Sequence, residues 1–322
     1  MSGGNLTLDD VRAAYDRIHR HLPETPLVQH PAFAAALGID AWLKLETAQP
    51  TGAFKVRGGI NWMAVNAQRV RERGVVTAST GNHGQSIAYA ARLFDVPAVI
   101  YAPHGANPFK VRAMEAMGAQ VRLEGDDFQA SVAAAEEAAA REGLRFISSG
   151  DEQLLIAGVA TMALEAFGRR SFDVAIVPVG GGSNAAGTAL VAKALSPRTR
   201  VIAVCSAQAP AAHDAWRRRE HVRYESQATR AEGLQTRESY DLPQSILAKY
   251  LDDFALVDDV DLDDAVRFLA EQAHQLAEPA GVAGLAYARA HRRELQGACV
   301  LLPITGANIS GEMLRQILVS KA

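Results

Sequence analysis

Val75-Val76-Thr77-Ala78, then Ser79-Thr80-Gly81-Asn82-His83-Gly84, then the run from His83 to Phe94: this stretch decides the fold. The first four residues form a short apolar, β-branched run ahead of turn chemistry, which reads as a buried strand. The last run has the apolar spacing of an amphipathic helix. The unit then repeats. Ala98–Tyr101 reads as a strand and Pro108–Met117 as a helix. Gln120–Leu123 is a strand, Phe128–Arg141 an alanine-rich helix and Leu144–Ile147 a strand. Four strands separated by three helices over about 75 residues describe parallel βαβ units.

The rhythm continues toward the C-terminus. Leu154–Phe167 reads as a helix, and Val174–Val179 is a near-continuous apolar run, suited to a parallel strand covered on both faces. A glycine turn leads into a helix at Asn184–Ala194, and Val201–Val204 is the next strand. The polar stretch Tyr224–Tyr250 reads as a long, irregular surface excursion. Leu256-Val257 resumes the sheet, and helices follow at Asp261–Leu276 and Ala280–Glu294. Cys299–Leu302 is the last strand and Gly311–Leu318 the last helix. On the N-terminal side, helices are expected at Leu8–His21 and Ile60–Arg71, with extended segments at Thr25–Leu27 and Ala41–Glu46. The break at Ser148–Asp151 marks a boundary between two α/β lobes.

Composition bounds the function. The chain has 322 residues, 48 % hydrophobic and 21 % charged, with a formal net charge of −3. That is globular composition with ample material for a core, and it lacks the basic excess of a nucleic-acid footprint. Arg217-Arg218-Arg219 reads as a solvated helix end. Two cysteines, Cys205 and Cys299, exclude a disulfide framework and fit a reducing compartment. Both sit in apolar runs and read as small hydrophobes. Met1-Ser2-Gly3-Gly4-Asn5 carries no charged leader, and no run reaches bilayer-spanning length. A cytoplasmic protein without membrane partners is the expectation.

Ligands of open α/β sheets bind beyond the carboxyl ends of the strands. Three loops there carry chemistry. Ser79–Gly84 offers hydroxyls, an amide and an imidazole at a helix start, where free N–H groups can hold a carboxylate or phosphate. An ordinary N-cap through Ser79 or Thr80 explains it equally well. Gly180-Gly181-Gly182-Ser183-Asn184 leaves successive N–H groups free to form an anion nest. It has no Walker lysine and no G-x-G-x-x-G spacing, so a single phosphate monoester suits it best. Thr305-Gly306-Ala307-Asn308 places a hydroxyl at a third strand end, although a capping turn ahead of Ser310 is the stronger local reading. Upstream, Thr51-Gly52-Ala53-Phe54-Lys55-Val56-Arg57-Gly58-Gly59 holds one lysine among small residues. Desolvation would favour its neutral, nucleophilic form. Taken alone, that stretch reads better as a surface lysine at a helix start. Taken together, a lysine, a phosphate cup and a carboxylate loop match the aldehyde, phosphate and ring of pyridoxal phosphate.

On these residues the chain resembles the fold type II pyridoxal-phosphate enzymes, within them the threonine/serine dehydratase and serine racemase group. The marks are Gly52–Gly58, Ser79–Gly84, Val177–Ser183 and Glu278-Pro279-Ala280-Gly281, and the resemblance spans nearly the whole length. It implies an α/β fold of two domains, similar to the tryptophan synthase β chain, with parallel-rich twisted sheets covered by helices on both faces. Residues 1–68 and 150–322 would form the large cofactor-binding domain, and 69–149 the small substrate-loop domain. It implies that Lys55 is the Schiff-base lysine and moves the substrate α-proton. Phe54 would pack near the pyridine ring and Asn82 would bond the ring hydroxyl. Gly180, Gly181, Gly182, Ser183 and Asn184 would cradle the phosphate. Thr305 would face the ring nitrogen, with Glu278 and Gly233 lining the cofactor site. Ser79, Thr80, Gly81, Asn82 and His83 would take the substrate carboxylate.

The implied activity is β-elimination of water from a serine- or threonine-like β-hydroxy-α-amino acid, giving a 2-oxo acid and ammonia. A hydroxyl opposite the ring nitrogen, in place of a carboxylate, favours loss of the β-substituent. The chain also departs from the family pattern. Ala53 replaces a usual serine, and Gly158-Val159-Ala160-Thr161 replaces Gly-Gln-Gly-Thr. Cys205–Pro210 offers no carboxylate, so no divalent-metal site is expected there. Thr80 supplies the hydroxyl that racemases use on the opposite face, so Thr80 joins Lys55 as a catalytic candidate and racemisation stays open. The departures also leave room for phenylserine, 3-hydroxyaspartate or a hydroxyectoine-derived amino acid as substrate. A non-catalytic amino-acid- or phosphate-binding descendant is the third reading, and the retained Lys55 argues against it. A homodimer is the family expectation, and no regulatory domain is expected beyond residue 322.

Overall fold

The structure is a computed structural model and describes residues 6–320; the reading of Met1–Asn5 lies outside the described residues. Among the described residues, ten strands form two sheets. They are β1 (Leu27–Val28), β2 (Asp40–Leu45), β3 (Val75–Ala78), β4 (Ala98–Ala102), β5 (Gln120–Leu123), β6 (Arg145–Phe146), β7 (Val174–Pro178), β8 (Arg200–Ser206), β9 (Asp253–Val257) and β10 (Cys299–Ile304). The larger sheet runs β1-β2-β10-β7-β8-β9 and the smaller β5-β4-β3-β6. Only the β1–β2 pair is antiparallel; the remaining pairs are parallel. The α/β class and parallel-rich sheets match the sequence reading.

The two-sided burial of the large sheet follows from strand periodicity. Successive side chains alternate faces, and both faces are covered. Ala175 and Val177 of β7 join one apolar core, while Val174 and Ile176 join the other. Leu301 of β10 points into the first core, Val300 and Leu302 into the second. Apolar positions with no polar alternation are therefore what this sheet demands.

The helix Val56–Val70 joins the two halves of the molecule. It packs on the helix Asn82–Leu93 beside the small sheet and on Gln153–Arg169 beside the large one. Both crossings are close because glycines allow it. A Cβ on Gly59 would lie 2.6 Å from Ser86 O, and one on Gly158 would lie 2.6 Å from Arg57 O. The helix begins at Val56, four residues before the pattern predicts. Gly58-Gly59 weigh against a helix by propensity, and tertiary packing overrides that weak preference.

Other differences have equally local causes. The helix Pro31–Leu37 is short and was not anticipated, and of the short helix Ala211–Arg218 only the basic end at Arg217–Arg219 was. Tyr224–Tyr250 is not an irregular excursion throughout. Its second part is the helix Asp241–Tyr250, which buries only Pro243, Ile246 and Leu247, too narrow a stripe to register against the polar background. Cys205 is buried and Cys299 half-buried. Burial pushes their thiols up to about 12 and about 11, respectively, which makes them poor nucleophiles. Among the described residues no helix is long and apolar enough to cross a membrane.

Candidate active site

A cavity of about 420 Å³ opens where the loops after β3, β7 and β10 converge. The residues given cofactor, substrate or catalytic roles from the sequence all lie on its wall: Phe54 and Lys55, the loop Ser79–His83, Gly180–Asn184, Gly233, Glu278 and Thr305.

Lys55 stands at the start of the helix Val56–Val70. Its carbonyl accepts from Ser86 Oγ at 2.6 Å, which ties its backbone to the helix of the Ser79 loop. Its Nζ lies 3.3 Å from Ser183 Oγ and 5.4 Å from the Phe54 ring centroid. Among the described residues no carboxylate pairs with it. Burial, unopposed, lowers its pKa from 10.5 to about 8. Such an amine is neutral and nucleophilic at mildly alkaline pH.

The Ser79–His83 loop is shaped by its own side chains. Ser79 Oγ accepts from Gly84 N at 2.8 Å and Gly81 N at 3.1 Å, acting as a cap for the helix Asn82–Leu93. Thr77 Oγ1 donates to Ile147 O at 2.7 Å and lies 2.9 Å from His83 Nε2. The threonine's only proton is thus committed, so His83 Nε2 carries the hydrogen and Nδ1 is bare. That Nδ1 is buried without a partner. Burial and the neighbouring Lys55 push the imidazole down to about 3. The ring therefore offers an acceptor. A carboxylate in this loop would rely on backbone N–H groups and the Thr80 hydroxyl, not on His83. Asn82 Nδ2 donates to Glu278 Oε1 at 2.6 Å, and its Oδ1 accepts from Asn308 Nδ2 at 2.8 Å.

The glycine loop is built for a compact anion. Gly182 takes the left-handed conformation at φ +92°, and a Cβ on Gly180 would overlap Gly233 O. Ser183 opens the helix Ser183–Leu195, so the N–H groups of its first turn have no intrahelical acceptor. Asn184 is buried, and both of its side-chain polar atoms lack a partner. Buried polar atoms are rarely left so, and a phosphate in the cup would accept from Asn184 Nδ2. Thr305 is buried on the facing wall, with its carbonyl taking Phe54 N at 3.0 Å. The residues present therefore fit pyridoxal phosphate.

Several residues escape sequence reasoning. Lys110 lies between Glu232 (2.6 Å) and Glu278 (3.7 Å), and desolvation raises the Glu278 carboxyl. Arg237 donates to Asp127 at 2.6 Å across the cavity mouth. Tyr240 bonds Ser149 at 3.0 Å. Ser226-Gln227, Glu232–Arg237 and Tyr240, in the supposed excursion, supply part of the wall. No local motif marks these groups. Behind the cavity, Arg57 is clamped between Glu46 and Glu165, with Lys44 on Glu165. The fold also brings Asp259 to Ser206 at 2.9 Å, a carboxylate that positions 205–210 do not contain. Thr229 Oγ1 and Arg230 N donate to it as well, at 2.7 and 2.8 Å.

A family model described as pyridoxal-phosphate dependent enzyme matches residues 18–306. An L-threonine ammonia-lyase from Thermotoga maritima is 34% identical over 97% of this chain and 78% of its own length. An L-threo-3-hydroxyaspartate ammonia-lyase from Saccharomyces cerevisiae is 32% identical over 94% of this chain and 93% of its own. The structure of maize serine racemase superimposes with a TM-score of 0.91 at 28% identity, covering 98% of this chain and 97% of that one.

Proposed function

Because the chain belongs to the pyridoxal-phosphate-dependent enzymes, we propose that it is an ammonia-lyase of the threonine/serine type. It removes water from a β-hydroxy-α-amino acid and yields a 2-oxo acid and ammonia. The observation that carries this reading is Lys55 itself, a half-buried amine on the cavity wall without a carboxylate partner among the described residues, lowered to about 8 by desolvation and facing the glycine cup through Ser183. Bound there, pyridoxal phosphate supplies the aldehyde that takes up an amine and the electron sink for the α-carbon.

The chain's own groups divide the work as follows. Gly180–Ser183 and Asn184 hold the phosphate, and Phe54, Gly233 and Glu278 wall the ring. Thr305 takes the ring nitrogen and Asn82 the ring hydroxyl. Thr80 and the backbone of Ser79–His83 orient the substrate carboxylate. Lys55 Nζ receives the α-proton and holds it. Lys110, paired with Glu232 and Glu278, and Arg237, paired with Asp127, complete the charged part of the wall. In this reading residues 69–149 form the substrate-loop unit and 1–68 with 150–322 the cofactor unit. A homodimer and a cytoplasmic location are proposed with it, the latter supported by two unpaired cysteines.

The Thr80 hydroxyl on the cavity wall favours racemisation as a second reading. A panel of serine, threonine, phenylserine and 3-hydroxyaspartate, in both enantiomers, decides between them. Ammonia and 2-oxo acid are expected from at least one member. Enantiomer formation without oxo acid would replace the lyase by the racemase, and colourless protein after addition of pyridoxal phosphate would end both readings.

A further inference from the structure

Six charged side chains line the cavity: Lys55, Lys110, Asp127, Glu232, Arg237 and Glu278. Lys110 is taken by two carboxylates, Glu232 and Glu278. Arg237 is held by Asp127 Oδ2 at 2.6 Å, by Gln129 Oε1 at 3.0 Å from Nε, and by the Glu225 carbonyl at 2.8 Å. Neither cation is left without a partner, and Lys55 is reserved for the chemistry. A substrate side chain bearing a second carboxylate would thus enter a wall whose positive groups are already neutralised, and whose negative groups are as numerous as the positive ones. A neutral β-substituent meets no such opposition. Specificity of this kind comes from the repulsive element as much as from the attractive one.

Asp127 is placed to control this balance. It caps the helix Phe128–Glu142, accepting from Ala130 N at 2.9 Å, and so stands on the small-sheet side of the mouth. Arg237 reaches it from the large-sheet side. On the strength of the lyase reading, we infer that Asp127, by neutralising Arg237, is the residue that sets the preference of this cavity for a neutral over an anionic β-substituent. It is a specificity residue acting through Arg237 and not a catalytic one.

Asp127→Asn tests this. Asparagine caps helices as well as aspartate, so the fold is retained while Arg237 loses its anion. The readout is kcat/KM for L-threo-3-hydroxyaspartate divided by that for L-threonine. The wild type is expected to favour threonine, and Asp127→Asn to raise the ratio roughly fivefold, the scale of a partly exposed ion pair. Asp127→Asn combined with Arg237→Gln is expected to cancel the gain. A contact that merely held the mouth shut would lower both substrates together and leave the ratio unchanged, which would overturn the assignment, as would a wild type that prefers hydroxyaspartate. Thermal shifts with L-aspartate and L-2-aminobutyrate, which lack the leaving hydroxyl, report the same balance without turnover. If no substrate is dehydrated, the lyase reading fails, and the binding ratio still decides the role of Asp127. Equal shifts of wild type and Asp127→Asn on L-aspartate would refute it.

Discussion

Two cations, Lys55 and Arg57, stand two residues apart on one turn of chain, Lys55 half-buried on the cavity wall and Arg57 fully buried, and their surroundings differ. Arg57 faces away from the cavity. Its Nε and Nη2 grip Glu46 at 2.7 and 2.9 Å, Nη1 bonds Glu165, and Thr161 and Thr25 take further N–H groups at 3.1 and 3.2 Å. Lys44 joins on Glu165, so two cations and two anions are buried together. Burial opposes the guanidinium charge, but the two carboxylates outweigh it and push its pKa up. Lys55 meets burial with no carboxylate and is pushed down. The same physical cost is offset in one place and left standing in the other. Where it is offset, the helix start gains a rigid footing. Where it stands, the amine becomes reactive, and strain of this kind belongs at functional sites.

The contrast breaks if Lys55 proves dispensable. Lys55→Ala is expected to lower kcat by more than about 10³-fold, since it removes both the nucleophile and the proton carrier. The visible band of the cofactor-loaded protein should vanish while the circular dichroism stays. Lys55→Met should leave the cofactor-free protein as stable as the wild type or more so, because an unpaired buried charge is removed. A marked loss of stability there would mean that Lys55 is a structural lysine.

Arg57 should behave in the opposite way. Glu165→Gln leaves Arg57 and Lys44 sharing a single carboxylate, and breaking a buried network by one partner costs about 3–5 kcal/mol. The denaturant midpoint should fall accordingly, with turnover per folded molecule changed far less. A loss below about 1 kcal/mol, the scale of a surface pair, would place the network in contact with water.

The pH dependence sharpens the comparison from the other side. Attack on an aldehyde needs the neutral amine. With the pKa lowered to about 8, uptake of pyridoxal phosphate by the cofactor-free protein should accelerate as pH rises, with an inflection near that value and a plateau above it. At the inflection half of the amine is neutral, about a hundredfold more than for a lysine in water. An inflection near that of a solvent-exposed lysine would show that the pocket is wetter than its geometry implies.

Which parts were legible follows the same division. The reactive side was readable because each element is local: glycines beside Lys55, a triple glycine after an apolar strand, polar loops at strand ends. The footing was not. Arg57 meets Glu165 across 108 positions, Lys44 meets it across 121, and Asn82 meets Glu278 across 196. No periodicity or spacing encodes such pairs; they exist only once the helices have crossed. The glycines that permit the crossing, Gly59 and Gly158, were visible as residues but not as contacts. Gly233 apart, the cavity wall between Ser226 and Arg237 went unread for a related reason. It is irregular chain held by scattered hydrogen bonds, such as Tyr224 N to Arg237 O at 2.8 Å, and its polarity resembles that of any surface loop.

Ser79 gives the smallest effect and tests which side of the contrast a cavity hydroxyl belongs to. Its oxygen accepts from the backbone N–H groups of Gly81 and Gly84, so it serves the footing, while its position on the wall puts it beside the chemistry. Loss of a helix cap costs about 1 kcal/mol. Ser79→Ala should therefore lower stability by that amount. KM for the amino acid should rise several-fold as the loop that orients the carboxylate loosens, with kcat nearly kept. Ser79→Thr retains the oxygen and should restore most of both. If kcat fell as steeply as in Lys55→Ala and threonine did not restore it, the hydroxyl would be acting on the reacting atoms, and the boundary between reactive wall and supporting frame would have to be redrawn through Ser79.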